Sequence, residues 1–310
     1  MTDSFDFKGR HIIDTEDLST EQILHLVDVA DRIQAMGAEA LDLAKGKILA
    51  TLFWEPSTRT RLSFEAAMFK LGGNVLGFSE ASTSSAAKGE TLADTIKTVS
   101  LYSDIIAMRH PMEGSALAST FYSEVPVING GDGAHLHPTQ TLGDIYSLFK
   151  EKGDLKGLKM GFLGDLLFGR TIHTLVRLLT RFGVEMHFFS PEGLNIPDYV
   201  RGSLEEKGAV FTESEDMNGH LADLDVLYVT RIQKERFFSE EEYLRKQNSY
   251  RIDLEIMEKA KEDLLVLHPL PRNEEIAPEV DRLPNAGYFR QATYGMHMRM
   301  ALISKCLGVL

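Results

Sequence analysis

The 310 residues carry a net charge of −13, unremarkable apolar and charged fractions of 43% and 25%, and a single cysteine, Cys306. This balance excludes a general nucleic-acid surface, a disulfide framework and a thiolate metal site, so an anionic ligand must be drawn in by local positive clusters. The length exceeds what one core usually supports, which predicts two domains; without a signal-peptide pattern or an apolar run of membrane-spanning length, a soluble cytoplasmic protein with no membrane partner is expected.

In chain order, Ser19 followed by Gln22 reads as a capping box, and Ile23, Leu26, Val27, Ala30 and Ile33 keep helical spacing until Gly37. Ile48 to Phe53 is a strand-length apolar run, whereas Phe64, Ala67, Met68 and Leu71 recur at i, i+3, i+4, i+7. A strand therefore feeds a helix. Gly72-Gly73 stops that helix, and Val75 to Phe78 predicts a second strand. Ser79 to Gly89 is small, polar and aperiodic, a surface loop carrying one cation, Lys88. A helix through Leu92, Ile96 and Val99 follows, then a strand from Ile105 to Met108 ending in Arg109-His110-Pro111, and a helix over Leu117 to Tyr122. Val125 to Ile128 predicts a strand before a Gly130-Gly131-Asp132-Gly133 turn, and a helix over Thr139 to Lys150 starts directly after His137-Pro138.

A second series begins beyond Gly153: strand Met160 to Leu163, helix Thr171 to Phe182, and strands Val184 to Phe189, Val226 to Val229 and Leu264 to Leu267. A last helix over Tyr294 to Leu307 is expected to pack back on the first half. Repeated strand-helix order implies parallel sheets with right-handed crossovers and ligands beyond the carboxyl ends of strands. Ser57 to Arg61, Arg109, His137, Arg170, Arg231 and His268 to Arg272 all fall at such ends.

Ser57, Thr58, Arg59, Thr60 and Arg61 sit where the first helical N–H groups lack partners and the dipole is positive, which suits a phosphate or carboxylate. Simple capping by Ser57 and Thr58 is the bland alternative; two arginines crowded against a positive dipole favour an anion site. Gly161 to Asp165 lacks the dinucleotide glycine spacing, no Walker pattern occurs, and no Gly-x-Ser-x-Gly elbow supports covalent catalysis. His135 and His137 beside Asp132 have no third ligand at zinc-like spacing, so a structural or catalytic histidine is the better reading and no metal or cofactor is expected. Arg170 and Arg231 offer two guanidinium forks, a match for a substrate with two carboxylates. The His268-Pro269-Leu270-Pro271-Arg272 turn is rigidified by its prolines and can hold a cis bond before Pro271.

Taken together, Phe53 to Arg61, Lys88-Gly89-Glu90, Met108 to Pro111, His137-Pro138-Thr139-Gln140, Gly164-Asp165 with Gly169-Arg170-Thr171, Thr230 to Arg236 and His268 to Arg272 resemble the catalytic chains of aspartate transcarbamoylases, in family order over nearly the full length. The wider transcarbamoylase family shares the S-T-R-T-R and His-Pro-x-Gln signatures. Pro269, standing where ornithine enzymes typically carry cysteine, and the two arginines of the second half favour aspartate.

The resemblance implies an α/β fold of two doubly wound domains, each with a mainly parallel sheet flanked by helices, joined by two interdomain helices. Residues 1–138 with 295–310 would bind carbamoyl phosphate and residues 139–294 aspartate. Ser57, Thr58, Arg59 and Thr60 would hold phosphate, and Arg109 would reach phosphate and carbonyl oxygen. His137 and Thr60 would polarise the carbonyl, and Gln140 with the main-chain carbonyls of Leu270 and Pro271 would hold the carbamoyl amide. Arg170, Arg231 and Gln233 would position aspartate, and Ser84 and Lys88 would enter from the adjacent chain of a homotrimer whose active sites are shared.

Relatives occur as bare trimers, with zinc-bearing nucleotide-binding regulatory chains, or with other pyrimidine enzymes, so a partner of either kind is compatible. The sequence departs from the pattern at Leu167-Phe168, where many relatives have Lys-Tyr, and at Ala87, where some have a second lysine. A catalytically silent anion-binding scaffold would have lost members such as Lys88, His137 or Arg231, which are all present. A transcarbamoylase for another amine acceptor is the remaining alternative.

Overall fold

The computed structural model describes residues 5–80, 89–232, 239, 246 and 249–310. The chain forms two compact units, Met1–Tyr146 with Thr293–Leu310 and Ser147–Ala292. Both are α/β, and every pairing among their named strands is parallel.

In the first unit the sheet order is β2-β1-β3-β4, built from β1 (Ile48–Phe53), β2 (Asn74–Phe78), β3 (Ile105–His110) and β4 (Val127–Asp132). All but the first residue of β1 are buried, as expected of a central parallel strand covered on both faces. Helices α1 (Thr20–Met36), α2 (Thr58–Lys70), α3 (Leu92–Ser100) and α4 (Ser115–Thr120) intervene between or flank the strands. Both arms of the α1 capping box form: the Gln22 N–H donates to Ser19 Oγ at 3.2 Å and the Ser19 N–H to Gln22 Oε1 at 3.0 Å.

The C-terminal helix begins at Tyr288 instead of Tyr294, and the turn expected after β4 also differs from expectation. Gly130, Gly131 and Asp132 continue β4 instead of forming a turn, because the Asn129 side chain supports them. Its Oδ1 accepts the Gly131 N–H at 2.8 Å and its Nδ2 donates to Asp132 Oδ1 at 3.1 Å, while the register against β3 shifts between Met108 and His110. A φ of 127° at Gly131 suits glycine alone.

The second unit has the order β7-β6-β5-β8-β9, from β5 (Lys159–Leu163), β6 (Glu185–Phe189), β7 (Phe211–Ser214), β8 (Val226–Val229) and β9 (Leu265–Leu267). Among the described residues, the strand β7 and the helices Asp198–Glu206 and Leu254–Glu258 lie outside the sequence expectation. The edge strand β7 reads F-T-E-S and is only half-buried, and the helix Asp198–Glu206 buries just Val200 and Leu204, so neither shows an apolar period. Phe162 and Phe188 stack at 5.3 Å, with Tyr228 and Phe211 against them at 5.9 and 6.0 Å.

The helices Pro138–Lys152 (α5) and Tyr288–Leu307 (the C-terminal helix) each carry the chain from one unit into the other, so two helices join them. The end of the C-terminal helix belongs to the first unit, where the Gly9 N–H donates to the Cys306 carbonyl at 2.9 Å.

The same clasp locks the central strand pair of each sheet. In the first, Asp104 donates its N–H to the Ile48 carbonyl at 2.9 Å, accepts the Ile48 N–H on Oδ2 at 2.9 Å and pairs with Lys47 at 2.8 Å. In the second, Asp225 donates to the Lys159 carbonyl at 2.9 Å, accepts the Lys159 N–H at 2.8 Å and pairs with Lys261 at 2.8 Å. Burial would raise the Asp225 value, but Lys261 and the Lys159 N–H hold it below the usual carboxylate range.

Among the described glycines of the first unit, the one in the turn closing α2 leaves the least room for a side chain. Gly72 has φ +81°, and a Cβ there would lie 1.6 Å from the Leu41 carbonyl oxygen; Gly9, at φ +76°, has nothing within 4 Å of the corresponding position. Gly72→Ala is expected to cost roughly 2–4 kcal/mol and Gly9→Ala only about 1 kcal/mol. Thermal unfolding of the two variants side by side checks this, and equal losses would refute the steric argument.

Candidate active site

The first cluster forms where β1 turns into α2. Ser57 occupies the N-cap position in extended conformation, φ −155° and ψ 91°, yet its hydroxyl makes no cap hydrogen bond. It accepts from Arg109 Nη1 at 3.4 Å instead, so plain capping does not account for it. Thr58 and Arg59 are exposed at the helix start and Thr60 is buried beneath them. Arg61 does not join the cradle: its Nε donates to Glu65 Oε1 at 2.8 Å, one helical turn on, so the two-arginine crowding expected there is relieved within α2.

Arg109, at the end of β3, leans over the same turn. Its Nε and Nη2 donate to Glu55 Oε1 at 3.2 and 2.5 Å, a partner the sequence reading missed although Glu55 lies within the F-W-E-P-S-T-R-T segment. His137, after β4, is buried with Nε2 3.5 Å from Thr60 Oγ1. Its carbonyl accepts the N–H groups of Gln140 and Thr141 at 3.0 and 3.2 Å, which places it at the head of α5. The Gln140 amide donates to Asp144 Oδ1 at 2.7 Å, a second unforeseen partner whose only sequence signal is i, i+4 spacing. Ser57 with Arg109 and Thr60 with His137 thus form two side-chain pairs, while His135 stands apart, exposed, with Nδ1 3.6 Å from Asp132 Oδ2. Among the described residues no group of three His, Cys, Asp or Glu could hold a metal ion.

In the second unit Arg170 is the first residue of helix α6 (Arg170–Leu179) and Arg231 lies two residues past β8; both are half-buried. The turn before α6 is pinned from below. Asp165 Oδ1 accepts the Phe168 N–H at 2.9 Å, and the Leu166 carbonyl lies 2.7 Å from His173 Nε2, whose other ring nitrogen is 2.7 Å from the Tyr199 hydroxyl. Burial pushes the His173 value down, so the ring is neutral at neutral pH. Donation from Nε2 to the carbonyl then leaves Nδ1 to accept from Tyr199. Leu167, where many relatives have a cation, packs with buried Leu194 and Ile232, so an apolar contact stands in that place.

The Leu270-Pro271 bond is cis and Leu270 has φ 55°. The buried His268 holds this turn: Nδ1 accepts the Leu270 N–H at 2.8 Å, Nε2 donates to Glu275 Oε1 at 2.8 Å, and the backbone N–H donates to Gln291 Oε1 at 2.9 Å. Burial would raise the Glu275 value, but the hydrogen bond from His268 and nearby backbone N–H groups hold it below the usual range. Arg272 is committed elsewhere, to Asp281 at 2.6 Å and to the Tyr288 hydroxyl at 3.0 Å. A pocket lined by Gly164, Thr230, Ile232, Tyr250, Asn273 and Glu275 opens at the carboxyl ends of β5 and β8. Ser84, Lys88 and Gln233 lie outside the described residues.

Comparison with known proteins is unambiguous over both units. Residues 10–150 match the model of the aspartate/ornithine carbamoyltransferase carbamoyl-P binding domain, and residues 156–306 that of the Asp/Orn binding domain. The aspartate carbamoyltransferase catalytic subunit of Clostridium botulinum strain Okra is 54% identical, over 97% of this chain and 99% of that protein. The solved catalytic subunit of M. jannaschii aspartate transcarbamoylase superposes with a TM-score of 0.91 at 47% identity, over 96% of this chain and 98% of that one. The Trypanosoma cruzi aspartate transcarbamoylase, solved with carbamoyl phosphate and aspartate, gives 0.90 at 39% identity over 98% of each chain. The chain belongs to the aspartate/ornithine carbamoyltransferase family.

Proposed function

We propose that the chain transfers the carbamoyl group of carbamoyl phosphate to the amino group of L-aspartate, giving N-carbamoyl-L-aspartate and phosphate, an early step of de novo pyrimidine biosynthesis. The observation that carries the reading is the open α2 N-terminus: Ser57 directs its hydroxyl toward Arg109 and leaves the helix start to an anion. In this reading residues 1–138 with 295–310 serve carbamoyl phosphate and residues 139–294 serve aspartate.

Ser57, Thr58, Arg59 and Thr60 hold the phosphate, with Arg109 moving from Glu55 toward the ligand's oxygens. The neutral amine of aspartate attacks the carbamoyl carbon, a tetrahedral oxyanion forms, the carbon–oxygen bond to phosphate breaks, and the amine proton leaves with the phosphate. His137, beside Thr60, acts as a hydrogen-bond donor to the oxyanion, since developing negative charge requires donation. Gln140 and the carbonyls of Leu270 and Pro271 receive the carbamoyl amine; Arg170, Arg231 and Gln233 receive the two carboxylates of aspartate. Orientation of two anions by preset donors supplies the catalysis. A cytoplasmic homotrimer, with Ser84 and Lys88 supplied by the adjacent chain, completes the proposal, and the mass of the native complex tests the assembly and any bound regulatory chain or pathway partner.

Purified protein is expected to form product from carbamoyl phosphate with aspartate and not with ornithine; activity with ornithine alone overturns the substrate. His137→Ala is expected to lower turnover by about 10²–10³-fold while weakening carbamoyl phosphate binding far less, as steady-state kinetics and direct binding would register. An equal loss in both measurements contradicts the oxyanion role.

Glu275, with its value held below the ordinary 4.5, stabilises the Leu270 turn fully above pH 4.5 and loses that contribution as pH falls through its folded-state value. Glu275→Gln should therefore be less stable at neutral pH and show a shallower acid loss below pH 4.5 in unfolding curves taken across pH. Curves that run parallel to those of the parent protein would contradict this linkage.

A further inference from the structure

Behind Gln140 lie two buried polar residues that none of the roles above uses, Asp144 and Arg299. Asp144, one turn further along α5, has no solvent exposure, and Arg299 on the C-terminal helix is 5% exposed. The two helices meet here through bare glycine: a Cβ on Gly143 would lie 3.0 Å from the Gly295 Cα, and one on Gly295 would lie 2.9 Å from Arg299 Nη1. Glycine at 295 therefore makes the room that the guanidinium occupies. On its far side the guanidinium lies 5.2 Å from the ring centroid of Phe64, a residue of the cradle helix α2. Burial lowers the Arg299 value to about 10, opposed by Asp144, so the guanidinium remains charged at neutral pH. A buried charge is retained at high cost unless its partner is present.

The effect on Gln140 follows from amide chemistry. A glutamine amide has one donor end and one acceptor end, and can present either by rotating. A carboxylate only accepts, so the 2.7 Å bond to Asp144 fixes the –NH2 end inward and leaves the carbonyl oxygen as the end available to a ligand. That oxygen can accept from an –NH2 group, and a methyl group offers it nothing.

We propose that Asp144 and Arg299 are positioning residues that fix the Gln140 amide as an acceptor, so that the site selects an acyl phosphate bearing an amino group over one bearing a methyl group. The inference rests on the reading of Gln140 as a carbamoyl contact. Asp144→Asn keeps the shape but can donate as well as accept, which frees the Gln140 amide to turn over. Arg299 acts one step further back, by keeping Asp144 ionised.

The test measures binding of carbamoyl phosphate and of acetyl phosphate to the full-length protein in its native assembly. Asp144→Asn is expected to weaken carbamoyl phosphate by about tenfold, the scale of one lost hydrogen bond, with acetyl phosphate nearly unchanged. Should that variant not assemble, Asp144→Asn with Arg299→Gln removes the unbalanced cation and reads the same ratio. Gln140→Leu is the reference and should lower the ratio at least as far. If Gln140→Leu lowers the ratio and neither Asp144 variant does, or if the Asp144 variants weaken both ligands equally, the positioning role is overturned while the Gln140 contact stands. If Gln140→Leu itself leaves the ratio unchanged, the contact fails, and the positioning role with it.

Discussion

Burial of the central strands on both faces is the constraint on which the rest of the molecule depends. Strands β1 and β5 are mostly apolar and buried, and the one polar side chain in the middle of β1, Thr51, is held by hydrogen bonds to Glu65 and the Leu76 carbonyl, because an unpartnered polar group there would cost stability. Chemistry is therefore displaced to the carboxyl ends, where the chain leaves the sheet and helix starts supply unpaired N–H groups. Ser57 to Thr60, Arg109, His137, Arg170, Arg231 and the His268 turn all stand at such exits.

A second constraint is charge. The chain carries −13 overall and is assigned two anionic substrates, so its binding arginines cannot rely on the field of the whole molecule. The solution visible at Arg109 is a local one. Glu55 holds the guanidinium in place beside Ser57, and a carboxylate is a partner that a phosphate can replace. Arg61 and Arg272, by contrast, are tied to Glu65 and Asp281 in ways that serve the helix and the turn. Position in sequence alone does not separate the two kinds of arginine; the identity and setting of the carboxylate partner does.

Much of this was legible in the residues. The apolar runs of β1, β5 and β8, the Ser19 box and the helical period after Thr58 each state their structure locally, and the arginines and histidines after strands mark the candidate site. What was not legible depends on contacts distant in sequence or on weak patterns. β7 and the Asp198–Glu206 helix bury too few apolar side chains to show a period, and β4 runs through two glycines only because Asn129 supports them. Glu55 and Asp144 are ordinary acidic residues until the fold brings Arg109 and the Gln140 amide to them. Leu167, where the resemblance led one to expect a cation, makes a small apolar contact with Leu194 and Ile232 in the fold.

The aspartate clasps at Asp104 and Asp225 carry a consequence for how the sites stay in phase. A slip of one residue between neighbouring strands would turn every side chain to the opposite face and exchange ligand-facing groups for core groups. Each clasp ties the first residue of the central strand to its neighbour through two hydrogen bonds and a lysine pair, at the end of the sheet opposite the chemistry. The two units share no repeat in sequence, yet each indexes its central strands from the amino end in the same way. Turns and loops at the carboxyl ends are thereby free to vary with ligand, since the alignment of what they carry is set elsewhere.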